Sequence, residues 1–321
     1  MKTTWYNYWF KPTAYLDLAV LRIVAVGLQL FIITFGFGFD FNRLDRLSDL
    51  LQLPEHTWEP ILVVKFLSFP LTLEWGAKPT YDMLIFTYYL SLVAGLLALF
   101  GFFTRINLFV FAVTNIFLQG FIYSFREIHH PEAIMMIALC ALAISPCAKV
   151  LSVDAWVAET FGSKGDVDLA EYKGEYAGWP IKLLQWFFVL MYLSACYSKI
   201  TIGSGEWHNG FTLQYYLLQD GYRWDRPLAK WLSQWHELIL FLQYTVMIFQ
   251  ATFVLPVVFP RLRWIYVPVG LGFHTGIWMT LGAPFPQWIA LYVIFIPWAA
   301  ALKRVREDRK TAPLTHRHEA P

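Results

Sequence analysis

Charge is scarce in this chain. Only 15% of its 321 residues are Asp, Glu, Lys or Arg, against about 25% in an ordinary soluble domain. The shortage is uneven, because long blocks carry almost no charge while ionisable residues crowd the gaps between them. Their balance is +2, too small to point to a nucleic-acid partner. Cysteine is also scarce: Cys140, Cys147 and Cys196 lie in or beside apolar blocks. That spacing is not metal-like and suits packing, with Cys140 and Cys147 on one helix face at i,i+7. The sequence has no His-Glu-x-x-His, no Cys-x-x-Cys and no phosphate-cradling glycine loop. No metal is therefore expected, and any catalysis falls to isolated side chains and a bound organic cofactor. Internal repeats and low-complexity segments are missing too, so one domain is the simplest organisation.

Apolar and aromatic residues are abundant. Hydrophobic residues make up 57% of the chain, with 15 Trp, 17 Tyr and 28 Phe, and the mean hydropathy is +0.46. Such blocks must satisfy their own backbone hydrogen bonds in lipid, which selects helices. The expected fold is all-α: a polytopic integral membrane helix bundle of about eight transmembrane helices, plus amphipathic surface helices. The spans are placed near 16–37, 83–103, 106–123, 133–145, 180–199, 238–259, 264–281 and 288–302. Amphipathic segments fall near 41–51, 215–218 and 228–235. Trp5-Tyr6-Asn7-Tyr8-Trp9, Trp179, Trp264 and Trp298 sit at block ends, where an aromatic ring anchors at headgroup level. The start of the chain lacks a basic-then-apolar signal layout, so the first block reads as a retained span.

Basic residues in short loops set the orientation. Lys303, Arg304, Arg306, Arg309 and Lys310 make the tail basic, and Arg261 and Arg263 mark the loop before the last helix pair. The turn at 282–286 carries no basic residue. The tail is therefore expected in the cytoplasm, and 124–132 and 200–235 on the external side. A membrane domain over 1–302 and a basic, disordered tail over 303–321 follow.

Ionisable side chains inside apolar helices are costly and become functional candidates. Arg22 lies one to two turns into the first span; the plainer reading is a snorkelling arginine or a partner for a carboxylate. His129 and His130 precede Pro131-Glu132, a helix start; adjacent histidines face different ways and do not converge on one metal. Tyr192, Cys196 and Lys199 share a face by i, i+4, i+7 spacing. Lys199 either reaches headgroups or sits in a partly apolar pocket, where desolvation leaves a neutral amine available as a base. His274 sits mid-helix among Gly270, Gly272 and Gly276, where close helix approach and an interhelical hydrogen bond are the plainer reading.

The order of these features resembles a known family. Leu21-Arg22-Ile23, Phe66-Leu67-Ser68-Phe69-Pro70, Gly101-Phe102-Phe103-Thr104-Arg105 and the histidines at 129–130 come first. Leu151-Ser152-Val153-Asp154, Tyr192 to Lys199, Trp207-His208-Asn209-Gly210 and Phe273-His274 follow. Together they resemble HTTM, the membrane domain of vitamin K-dependent gamma-carboxylases, in its stand-alone bacterial form. The resemblance implies a bacterial inner-membrane protein whose cofactor is a reduced vitamin K or menaquinol-type quinone. It implies Lys199 as the base that deprotonates the quinol, and His130 as the histidine that tunes it, with His129 the alternative. His274, Arg22 and Trp207 are the supporting residues.

Membrane lipid is one expected partner, and a peptide or protein substrate another. Two other functions are compatible with the sequence. One is a non-catalytic partner in the maturation or export of a small peptide or protein. The other is a transporter using Arg22 and His274, against which stands the lack of an inverted repeat.

Overall fold

The computed structural model describes residues 2–36, 44–126, 131–162, 167–203 and 206–311. Its helices in chain order are α1 (Lys2–Phe10), α2 (Tyr15–Phe35), α3 (Leu44–Leu51), α4 (Leu62–Thr72), α5 (Tyr81–Phe100), α6 (Thr104–Tyr123), α7 (Pro131–Ala143) and α8 (Val153–Thr160). They continue with α9 (Trp179–Thr201), α10 (Phe211–Arg223), α11 (Pro227–Leu232), α12 (His236–Thr252), α13 (Leu255–Val258), α14 (Arg263–Leu281), α15 (Pro286–Leu291) and α16 (Trp298–Thr311). A two-residue antiparallel pair, β1 (Thr13–Ala14) with β2 (Lys173–Gly174), ties the start of α2 to the approach to α9.

Among the described residues, four helices are long and apolar enough to cross a membrane: α2, α5, α6 and the helical run ending α9. A fifth span results if the pair over 286–309, bent by 62°, counts as one. The expected count of about eight is not established by these helices. The expected span 133–145 is the short helix α7, and the expected spans 238–259 and 288–302 are each interrupted by a break. Pro256 lacks an N–H, and its ring would meet the carbonyl of Thr252, where α12 ends. Pro297 does the same to Val293, and the chain bends there. At the second break the released carbonyls are repaired by side chains: Trp298 Nε1 donates to Val293 O at 3.1 Å, and Gln185 Nε2 in α9 donates to Ile294 O at 2.8 Å. A helix can break at membrane depth only with such replacement.

The core forms around α2, whose buried face runs through Leu18, Leu21, Arg22, Ala25, Val26, Gln29 and Ile33. Lipid tails are as apolar as leucine, so association rests on close packing and interhelical hydrogen bonds rather than on escape from water. Buried Ala25, Ala94, Ala98, Ala112 and Ala138 supply the closeness. Asn115 in α6 supplies hydrogen bonds, accepting from Gln29 at 2.8 Å and donating to Ser91 at 2.9 Å. Phe86, Tyr89, Val93, Leu96 and Phe100 of α5 stay exposed, as a lipid-facing surface requires. The segment carrying α3 and α4 returns to the end of α6, where Glu59 N donates to Ser124 O at 2.8 Å. Arg126 pairs with Glu59 there and holds its carboxyl below the usual carboxylate range.

Two of the sequence motifs form one joint. Gly101 closes α5 with φ of 74°, a left-handed turn that glycine adopts without steric cost. The next helix start has no cap of its own. Asp154 supplies it, accepting from Phe103 N and Thr104 N at 2.8 Å and from Thr104 Oγ1 at 2.6 Å. Replacing Asp154 with Ala is expected to lower stability by about 2 kcal/mol, the upper range for a lost helix cap, read as a lower unfolding midpoint in nanodiscs. The tail expected to be disordered from 303 is helical through Thr311, with Lys303 reaching Glu171 at 3.1 Å and Arg306 reaching Asp168 at 2.8 Å.

Candidate functional site

α9 carries the site. Pro180 opens its first turn, and 23 helical residues later the chain has crossed about 35 Å. Tyr192 and Cys196 are buried and Lys199 is half-buried, as their common face predicts. Lys199 Nζ donates to Gln250 Oε1 at 3.2 Å and to Ala195 O at 3.3 Å, and lies 5.1 Å from the centre of the Trp207 ring. The turn bearing Trp207 is fastened to α12: Gln243 Nε2 donates to Trp207 O, and Tyr244 Oη donates to His208 O at 3.0 Å. Lys199 thus faces an aromatic ring across a junction fixed by side-chain hydrogen bonds to backbone carbonyls.

His274 is elsewhere. It does not meet Lys199 but joins a buried polar centre two turns down α9. Tyr192 Oη lies 2.7 Å from His274 Nε2 and 2.8 Å from Tyr292 Oη. Phe188, Phe249, Phe253 and Trp288 surround the Tyr192 ring with centroids 4.5–6.2 Å away. Seven residues along the same helix separate this centre from Lys199, a rise of about 10 Å. The polar groups at both levels fall on one side of α9.

Close approach of α14 to Tyr292 depends on Gly270, where a Cβ would collide with the Tyr292 hydroxyl and ring. Gly272 and Gly276 have open space instead, so only the first of the three glycines serves packing. Gly270→Ala is expected to cost about 1–3 kcal/mol by overpacking. Gly272→Ala should leave the unfolding midpoint unchanged or raised, since alanine favours a helix by about 1 kcal/mol. Equal midpoints for the two variants would contradict the packing account.

Arg22 joins neither level. It is fully buried toward the opposite end of the bundle, where Nη1 donates to Cys147 O at 3.1 Å and Nη2 donates to Leu151 O. It does not snorkel, and among the described residues it forms no ion pair with a carboxylate. Its acceptors are carbonyls of the turn after α7, and Leu151 holds a left-handed φ of 51° there. His129 and His130 lie outside the described residues. Sequence reading missed Tyr292, Gln243 and Gln250. The two glutamines could have been found as polar residues seven apart in an otherwise apolar block, whereas Tyr292 reads as one more aromatic.

The fold and this site define a polytopic α-helical membrane protein with a polar, aromatic-lined centre. The HTTM domain family matches residues 11–296, and the chain belongs to that family. No curated protein and no solved structure matches it.

Proposed function

We propose that the protein is a vitamin K-dependent gamma-carboxylase-like membrane enzyme that works with a reduced vitamin K or menaquinol-type quinone, with Lys199 as the base. The observation that carries this reading is the half-buried Lys199 amine set against the Trp207 ring. A planar hydroquinone fits that donor set, because it offers a flat face to the indole and an acidic hydroxyl to the amine. Such a cofactor, with oxygen, would supply the oxidation that drives epoxidation and the strong base needed for carboxylation. The chain's own part is smaller. Nζ of Lys199 accepts a proton, Gln250 and the Ala195 carbonyl orient that amine, and Trp207 covers it from water. Tyr192, Tyr292 and His274 hold a hydrogen-bonded pair of contacts beneath it, able to keep polar atoms in a fixed arrangement within an apolar wall.

We place the protein in a bacterial inner membrane with its C-terminus in the cytoplasm, because the basic loops favour that side. The deciding experiment supplies purified protein with reduced vitamin K or menaquinol and oxygen, and measures quinone epoxide. Epoxide above a protein-free control supports the reading. No epoxide from folded, quinol-accessible protein overturns it and leaves the non-catalytic partner in peptide or protein maturation.

A further inference from the structure

A cavity lies far from Lys199, at the end of the bundle where Asp154 caps α6. It encloses about 570 Å³ between the start of α6, the turn at 146–149 and α8. That size suits a small-molecule group. Arg105 and Lys149 line it, and so does Glu159. Among the described residues none of these three forms an ion pair, although opposite charges share the same walls. The other acid, Asp154, is committed to its three donors on α6. The cavity therefore presents two cations and one anion held apart, around a space that could take a ligand of both signs.

The surroundings are those of a membrane interface. Phe103 and Ile106 line the cavity and are 61% and 65% exposed, while Trp156 and Phe161 on the α8 side are 59% and 81% exposed. Exposed aromatic and aliphatic side chains beside exposed charges match the boundary between headgroups and acyl chains.

We propose that this cavity binds the headgroup of a zwitterionic aminophospholipid, with the phosphodiester on Arg105 and Lys149 and the primary ammonium on Glu159. A purely anionic lipid would satisfy the two cations but set its charge against Glu159. A phosphatidylcholine offers no N–H to the carboxylate. Both compete less well.

The test is native mass spectrometry of the intact chain, released from nanodiscs of equimolar phosphatidylethanolamine and phosphatidylglycerol. Wild type is expected to retain phosphatidylethanolamine in preference to phosphatidylglycerol by about tenfold, the worth of one charge-assisted contact. Glu159→Gln should bring that ratio to one or below, while Arg105→Ala with Lys149→Ala should lose both lipids. All three side chains are exposed, so the variants are expected to fold, and an unchanged unfolding midpoint verifies it. No preference in wild type, or a preference that survives Glu159→Gln, would overturn the proposal. Displacement of the lipid by an equal concentration of soluble glycerophosphoethanolamine would also overturn it, in favour of a soluble phosphoester.

Discussion

Lys199→Ala is expected to lower oxygen-dependent epoxide formation by about 10²–10⁴-fold, the usual contribution of a positioned general base. The unfolding midpoint should stay nearly unchanged. The amine is half-buried and its two hydrogen bonds are long, at 3.2 and 3.3 Å, so removing it forfeits only weak contacts, although the Gln250 acceptor is itself buried. That separation of activity from stability is what distinguishes a base from a structural cation. Lys199→Arg sharpens the comparison, because it keeps the charge and the contact with Trp207 but cannot give up its proton near neutral pH. It should be as inactive as the alanine variant. Activity in the arginine variant would assign the position to charge alone and remove the base from the proposed mechanism. An exogenous primary amine should restore part of the activity to Lys199→Ala and none to Lys199→Arg, whose side chain still fills the space.

Arg22→Ala should do the reverse. Two carbonyls, the buried one of Cys147 and the part-buried one of Leu151, would lose their donor. Each unsatisfied buried polar group costs about 1–3 kcal/mol, so two set an upper range of about 2–6 kcal/mol. That is a large share of the about 5–15 kcal/mol that separates native from unfolded states of ordinary domains. Arg22→Lys should recover only part of it, since a single ammonium on a flexible stem replaces a planar fork. The measurement is the unfolding midpoint in nanodiscs, together with the fraction of monodisperse protein after purification. A midpoint unmoved by Arg22→Ala would show that the turn at 147–151 holds itself, and would return Arg22 to the functional candidates.

These two residues illustrate what the sequence discloses. Lys199 is legible because helical periodicity alone puts it on one face with Tyr192 and Cys196, and that face turned out to be the inward one. Arg22 is visible as costly, but its purpose is not, because its partners are backbone carbonyls and any residue type carries a carbonyl. The apolar blocks 16–37, 83–103 and 106–123 correspond closely to α2, α5 and α6, since continuous hydrophobicity specifies a lipid-facing helix directly. The block 264–281 corresponds to α14, whereas the blocks 238–259 and 288–302 fared less well. Pro256 and Pro297 are plain in the sequence, yet whether a proline kinks a helix or ends it depends on what repairs the freed carbonyls. Here the repair at 294 comes from Gln185, 109 residues away. For His274 the residues point to an interhelical hydrogen bond, which Tyr192 of α9 supplies, but they do not say which helix provides it. Its actual partner is fixed by the collision-free approach that Gly270 allows to Tyr292, a three-helix relation with no local signature.

The bond between Arg22 and Cys147 spans 125 residues, which has a bearing on biogenesis. A ribosome adding about 5–20 residues per second needs about 6–25 s to pass from one residue to the other. Over that interval the first span sits at the translocon with a guanidinium whose acceptors do not yet exist. Asp17, five residues earlier, waits longer still, since its own partner is the amide of Ala299. Among the apolar spans described, α2 is thus made before the others and completed after them. Nascent chains truncated before 147 should remain crosslinkable to the insertion machinery through position 22, whereas chains extended past 151 should be released from it.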